Sequence, residues 1–282
     1  MNTDAKTAAT GSRNTSLAYR ADWTHFSAWC RRRGVAPLPP DAGWIARYLE
    51  DCAEPDPTGP GRVAAPLSLA TIERRLAGLA WHCRQRGFPV DRADDRIVEA
   101  MELVREKAAR PPRRTEALMA EDIAAMVETL SFSLRDLRDR AILLLGFAGG
   151  FRRTEIVALD VPREFQPGAK FVILGVPDRS GLREVRVDRE ARERACPVAA
   201  LEAWLHYGRL THGPLFRRIS RDNKRVLDQR LSDRHVARLI KRTAVAANIR
   251  PDLSDREREA LFSGHSLRTG HLASQAVTGA SG

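Results

Sequence analysis

The apolar run Ala141-Ile-Leu-Leu-Leu-Gly-Phe147, broken by Gly149-Gly150 and followed at once by Arg152, Arg153 and Glu155, constrains this chain more than any other stretch. The run is too short to cross a bilayer and reads as a buried helix. Ser133-Leu-Arg-Asp136 just before it has the form of a helix start, a hydroxyl followed three residues later by a carboxylate. The glycine pair ends the helix, and a new amphipathic turn begins in which Arg152, Arg153 and Glu155 face Ile156 and Leu159. A buried helix that delivers an arginine pair at a glycine turn is a rigid way to aim a guanidinium at a phosphate. The same spacing also fits an ordinary helix–turn–helix corner with surface arginines.

The charge balance bears on that choice. Over 282 residues, Lys and Arg number 47 against 36 Asp and Glu, a net charge of +11, and only five of the 47 are lysines. Arginine makes bidentate contacts with phosphates and carboxylates, so the excess points to a polyanionic partner. Genomic base composition explains arginine over lysine, but not the surplus of positive charge. Cys30, Cys52, Cys83 and Cys196 are scattered, with no C-x-x-C pair and no histidine at metal-ligand spacing. They read as reduced thiols in a cytoplasmic protein with no metal site and no cofactor. Residues 1–15 are polar, lack the apolar core of a signal peptide and read as a disordered tail. No segment is long and apolar enough for a membrane span.

Along the chain, Leu17, Trp23, Phe26 and Trp29 recur at helical spacing up to Gly34, an aromatic stripe that reads as core rather than as a base-stacking platform. Asp41 caps a second helix through Ile45, Tyr48 and Leu49, and the Pro- and Gly-rich stretch from Glu54 to Pro66 reads as a flexible connection. Ser68 or Thr71 opens a third helix, with Ile72, Leu76 and Leu79 on one face and Glu73, Arg74 and Arg75 on the other. A fourth helix spans 95–108. Residues 16–108 thus form a small all-helical domain whose basic faces are either solvated or set against DNA phosphates, with Arg74 and Arg75 the candidates. The stretch Ala109-Arg-Pro-Pro-Arg-Arg-Thr115 is the clearest boundary: two prolines enforce an extended path, and Arg110, Arg113 and Arg114 make it basic.

From 116 to 282 a second domain opens with helices at 120–130 and 133–147. After the glycine turn come two β-rich runs, Lys170–Leu174 and Arg183–Val187, separated by Gly175 to Gly181 as a hairpin with Arg179 at its tip. A helix at 197–207, a basic loop over Arg217-Arg218 and Arg221 to Arg225, and a helix capped by Ser232 follow. The fold class expected is mainly α with a small β-sheet, in two domains. The last informative stretch is Ser263-Gly-His-Ser-Leu-Arg-Thr-Gly270.

Gly150-Phe-Arg-Arg-Thr-Glu-Ile-Val resembles the first arginine box of the tyrosine recombinase (phage integrase) family, and Gly264-His265-Ser-Leu-Arg268 resembles its H-x-x-R box. The similarity spans nearly the whole chain: Tyr19–Cys30 and Thr71–Leu76 also look like this family's core-binding helices. The resemblance implies a helical core-binding domain, a basic linker and a mixed α+β catalytic domain that together clamp double-stranded DNA. It implies metal-independent phosphoryl transfer, in which a tyrosine attacks the phosphodiester and a 3′-phosphotyrosyl intermediate is resolved by a second strand. In that scheme Arg152 and Arg268 hold the non-bridging oxygens, Glu155 supports Arg152, and His265 takes part in proton transfer or hydrogen-bonds the phosphate. Arg153 and Arg179 join Arg74, Arg75 and the linker arginines as expected DNA contacts.

Two departures accompany the resemblance. The family's hairpin lysine is missing from the turn Val176–Gly181, where Arg179 is a poor proton donor and Lys170 lies at the strand's start. The tyrosines are Tyr19, Tyr48 and Tyr207, all upstream of the second arginine box, and Tyr207 reads as a packing residue. The chain therefore reads as a recombination and DNA-integration protein of a mobile element, truncated before its nucleophile and deficient in cleavage. The alternative is a non-enzymatic accessory or decoy that occupies recombination sites. Its expected partners are duplex DNA and either further copies of itself or an intact recombinase in a mixed assembly.

Overall fold

A computed structural model describes residues 13–54, 66–107, 115–162, 166, 168–178 and 181–279, which divide into two compact units at Pro112/Arg113. Among these residues the fold is mostly helical with two small antiparallel sheets. Among the described residues no helix is long and apolar enough to cross a membrane. The linker Ala109–Arg114 lies outside the described residues, and with it Arg110, Arg113 and Arg114, as does Arg179 at the hairpin tip.

Among the described residues the first unit has four helices: α1 (Arg13–Arg32), α2 (Ala42–Ala53), α3 (Leu69–Arg84) and α4 (Asp95–Lys107). Helix α1 starts within the stretch expected as tail. Local chemistry sets two of the other starts. The Asp41 carboxylate accepts the Trp44 N–H at 2.9 Å, and Ser68 caps α3 through the Thr71 N–H. Phe26, Trp29, Tyr48, Leu49, Ile72, Leu79, Ile97 and Val104 form the core, with the Phe26 and Tyr48 rings edge to face at 5.0 Å. The aromatic stripe is core at Phe26 and Trp29, whereas Leu17 at its start is exposed.

Of Arg74 and Arg75, expected on a solvated or DNA-facing surface, Arg75 turns toward the interior while Arg74 stays 40% exposed. Both pair with Asp22, whose side chain is buried. Arg75 also donates to the Tyr48 hydroxyl at 3.0 Å and to the Cys52 Sγ at 3.1 Å. A carboxylate lodged against helix α3 needs cations, and these two are within reach. Burial raises the Asp22 carboxyl above its ordinary value, against the opposing pull of both arginines.

The second unit is built around α6 (Leu134–Ala148), where every residue from Leu137 to Leu145 except Arg140 is buried. The Ser133 hydroxyl accepts the Asp136 N–H as its cap. Helices α5 (Ala120–Glu128), α8 (Pro197–Gly208), α9 (Asp233–Ala246) and α11 (Gly264–Gly279) pack on it, while short helices α7 (Arg153–Ala158) and α10 (Asp255–Leu261) join the longer ones.

The hairpin is longer than its sequence suggests. Strands β1 (Phe171–Asp178) and β2 (Gly181–Asp188) stay paired up to Asp178↔Gly181, so Gly175 lies inside the strand opposite Glu184 rather than in a turn. Leu182 lies across the space a Cβ at Gly175 would take, covering the gap in the ladder. A second correction concerns 217–230. The expected basic loop is a hairpin of β3 (Arg217–Ile219) and β4 (Val226–Arg230), joined by a turn. Here the arginine side chains supply what apolar alternation does not: Arg217 Nε donates to the Pro214 carbonyl and Arg230 Nη1 to the Val157 and Leu159 carbonyls. Tyr207, expected to pack, is 62% exposed on the outer face of α8.

The chain enters this unit beside α11. The Glu116 N–H bonds the Leu261 carbonyl and the Leu118 N–H bonds the Ser266 carbonyl, both at 3.2 Å. Gly270 makes this possible, because a Cβ there would lie 1.7 Å from the Leu118 carbonyl oxygen.

Candidate functional site

Gly149 and Gly150 close α6 as its residues demand. The Phe151 N–H returns to the Gly146 carbonyl at 3.0 Å, and Phe151 is fully buried, which fixes the direction in which the next residue leaves. Gly150 has φ +58°, and its missing Cβ leaves room for the His271 ring, which would otherwise stand 2.5 Å away. Burial lowers the His271 pKa, helped by Arg268 and opposed by the Phe147 carbonyl. A neutral imidazole thus packs under the turn.

Arg152 emerges as the N-cap of α7. The Glu155 carboxylate accepts the Arg152 backbone N–H at 2.7 Å and its Nη1 at 2.8 Å, so one acid fixes both the main chain and the guanidinium. The rest of the Arg152 side chain stays 60% exposed, with its other nitrogens free for a ligand. Glu155 is only 14% exposed and has a second cation nearby, Arg183 Nη2 at 3.9 Å.

Arg268 arrives from α11, more than a hundred residues later. Its Nη1 donates to the Gly150 carbonyl at 3.0 Å, two residues before Arg152. His265, one turn earlier on α11, is exposed, and its backbone N–H is held by the Ser263 hydroxyl at 3.1 Å. Gly264 lets this helix start touch α7, since a Cβ would meet the Arg153 side chain at 2.9 Å. Arg153 points away from that contact to Asp233, 3.3 Å off, at the start of α9. Leu267 and Ile156 meet over Gly146, closing the apolar floor beneath. The structure therefore brings Arg152, Glu155 and Arg268 to one turn, with His265 and Arg153 at its edge. Arg74 and Arg75 belong to the other unit and are engaged with Asp22. Lys170 sits at the open end of the hairpin, paired through its carbonyl with Arg189 and far along the strand from the turn.

Two features escaped the sequence reading. Arg183 is one. In the register Val172↔Val187, Leu174↔Val185 and Val176↔Arg183, the residues on one face are apolar until Arg183 replaces the last of them beside Glu155. The alternation of Arg183, Val185 and Val187 was the available signal. The other is a buried pair in α6. Arg138 is 2% and Asp139 0% exposed, and Arg138 donates to the Asp139 Oδ1 through Nε at 2.9 Å and Nη2 at 2.6 Å. Arg242 of α9 reaches the other oxygen at 2.9 Å, and His235 stands 3.5 Å from the first. Burial alone would raise this carboxyl, but the bonds from His235 and Arg138 outweigh it and hold it below the ordinary value.

No protein-family profile matches the sequence. The chain is 29% identical over 271 residues to the integrase/recombinase xerD homolog of Selenomonas ruminantium, covering 93% of this chain and 74% of that protein. Among solved structures, the XerH site-specific recombinase bound to palindromic difH in a post-cleavage complex superposes with a TM-score of 0.56 at 14% identity, over 90% of this chain and 67% of XerH. Its pre-cleavage complex with difH gives 0.53, also at 14% identity, over 92% and 67%. Along nearly its whole length the chain is thus similar in sequence to an integrase/recombinase, and it shares the fold of the XerH site-specific recombinase, with an arginine box braced against an H-x-x-R helix.

Proposed function

We propose that this chain binds duplex DNA at recombination sites and holds one phosphodiester between Arg152 and Arg268. The observation that carries this reading is the bracing of Arg152 by Glu155 and of Arg268 by the Gly150 carbonyl, at a turn both share. Two planar guanidiniums with their geometry set in advance match the non-bridging oxygens on which charge builds during displacement at phosphorus. Exposed His265 sits where it can exchange a proton or donate to the phosphate. Arg183, beside Glu155, adds positive charge at the same place. The difH substrate bound in the XerH complexes supports DNA as the ligand.

In the complete reaction, a tyrosine oxygen bonds to phosphorus, the bond to the 5′ oxygen breaks and that oxygen takes up a proton. We place the donor of the attacking oxygen outside the described tyrosines. Tyr48 is fully buried in the first unit, Tyr19 lies on α1 of the same unit, and Tyr207 points outward from α8. The polypeptide of 282 residues by itself accordingly binds without cleaving, and serves as an accessory or decoy at a site or as one member of a mixed assembly with an intact recombinase. The domain roles follow: residues 16–108 as the core-binding domain, 109–115 as the linker and 116–282 as the catalytic-type domain.

A nicked suicide duplex taken from the DNA flanking the gene tests this, run on a denaturing gel beside a binding titration at two salt concentrations. Binding that weakens steeply with salt and leaves no covalent adduct is the expected result. An adduct that survives denaturation and disappears in Tyr207→Phe would refute the assignment of the nucleophile. Absence of duplex binding would refute the function.

A further inference from the structure

The connection between α5 and α6, one side of α6 and the 3-10 turn Glu193–Ala195 bound an open groove of about 770 Å³ that shares no lining residue with the arginine box. Helix α6 holds the two apart: Arg140 and Gly149 are separated by about 14 Å along its axis. The floor of the groove is apolar, built from Val127 and Leu130, and Phe132 stands at its edge, 81% exposed. A single exposed ring is ordinary on a protein surface. This one lies against a cation that lacks partners.

That cation is Arg140, whose guanidinium carbon is 5.5 Å from the centre of the Phe132 ring. Its Nη2 donates to the Leu130 carbonyl at 2.9 Å, but its Nε is closed off from solvent without a hydrogen-bond partner. No carboxylate among the described residues lies within ion-pair distance of it. Arg192 and Arg194 line the same groove and are likewise without an ion pair among the described residues. Burial, and then the like charge of Arg194, pull the Arg140 guanidinium below its ordinary pKa, with Asp136 opposing. A half-buried cation beside a second cation is unfavourable in the free protein, and a bound carboxylate relieves both the desolvation and the repulsion.

The rim decides which anion fits. Glu128 and Glu193 line the groove together with the three arginines. A chain of phosphates would be repelled by both acids, whereas a surface for nucleic acid concentrates its cations. A peptide answers each part: one carboxylate for the arginines, a bulky apolar side chain for Phe132 and the floor, and positive charge for the two glutamates. We propose that the groove is a docking site for a segment of a partner protein in which a single Asp or Glu, flanked by basic residues, adjoins a bulky apolar side chain. The site is independent of the proposed function, which lies at the other end of α6.

An array of short synthetic peptides, each varying one acidic, one apolar and one basic position, is probed with the labelled full chain beside polyacidic controls. Peptides that join one carboxylate to Trp, Phe or Leu should be retained, and the best of them is titrated by fluorescence anisotropy. Arg140→Gln should weaken it by about ten- to a hundredfold, the range for a lost hydrogen bond to a charged group. The double variant Phe132→Ala, Arg194→Ala should weaken it as much, and because both side chains are exposed it should melt as the parent does. It carries the test should Arg140→Gln unfold early. Both variants should bind duplex DNA as the parent does. Preference for polyacidic peptides, retention of no peptide, or an affinity unchanged in the double variant overturns the proposal. So does displacement of the peptide by a random duplex, which gives the groove to nucleic acid, or a dimer of the chain that Phe132→Ala dissolves, which gives it to a second copy. A parent chain that retains the peptide but binds no duplex overturns the proposed function and leaves the groove standing.

Discussion

Replacing Asp139 with asparagine removes one negative charge and almost no volume, and its cost follows from the burial of its partners. Arg138 is 2% exposed and cannot recover hydration when its counterion is lost, whereas Arg242, at 53%, can. Breaking a buried pair by neutralising one member costs about 3–5 kcal/mol, because the remaining charge is left uncompensated. That raises the opening constant of the second unit by about two to three and a half orders of magnitude. Amide hydrogen exchange read by peptide mass spectrometry resolves it: peptides of α6 and α9 should lose protection by this factor, while α1 to α4 keep theirs. The double variant Arg138→Met, Asp139→Leu should be milder than Asp139→Asn alone, since it removes the stranded charge with its partner. The pH dependence has a definite sign. The folded carboxyl lies below its ordinary value, so its stabilisation is fully present above about pH 4 and is lost as pH falls through the lowered value. A loss below about 1 kcal/mol in Asp139→Asn, or an equal loss in the first unit, would refute this account.

Gly270→Ala should destabilise the second unit by about 2 kcal/mol or more, because its Cβ would overlap the Leu118 carbonyl oxygen and only backbone movement relieves that; an unaltered melt contradicts it. Arg152→Ala should weaken duplex binding and leave the melting temperature nearly unchanged, since its side-chain partner among the described residues is Glu155 alone; a large drop in melting temperature would make the residue structural instead. Asp22 should behave oppositely to Asp139. Burial raises its folded value, so the first unit loses stability as pH rises through the window above the ordinary carboxylate value. Trp23, Trp29, Trp44 and Trp81 all lie in that unit and report the transition by fluorescence, and a variant Asp22→Asn with the same pH profile as the parent would refute the assignment.

What could be read from the sequence was what depends on near neighbours. Asp41, Ser68 and Ser133 cap their helices through bonds three residues away, so their types and positions announced three helix starts. Arg152 and Glu155 are likewise local to each other, and Arg268 was found through its motif. Arg75 was misread because the pattern gives only the face of a helix, not a buried carboxylate more than fifty residues earlier to which a long side chain bends. The Asp139 cluster joins residues 97 and 103 positions apart, for which no spacing rule exists. The β3–β4 hairpin was missed because its arginines bond carbonyls of other segments, so no alternation of apolar residues marks the strands.

The segment by which the chain enters the second unit is stitched by Leu118 to Ser266 and pressed against Gly270, on the helix that carries His265 and Arg268. There is no slack at that seam: the glycine leaves no room for the strand to slide inward, and the backbone bonds on either side resist its lifting out. Tension or torque on the entering strand is therefore delivered to α11 with little loss, as through a short lever. Because Arg268 is bonded to the carbonyl two residues ahead of Arg152, the same lever bears on the distance between the two guanidiniums. Movement of residues 116–118 thus has a direct route to the groups that would grip the phosphate.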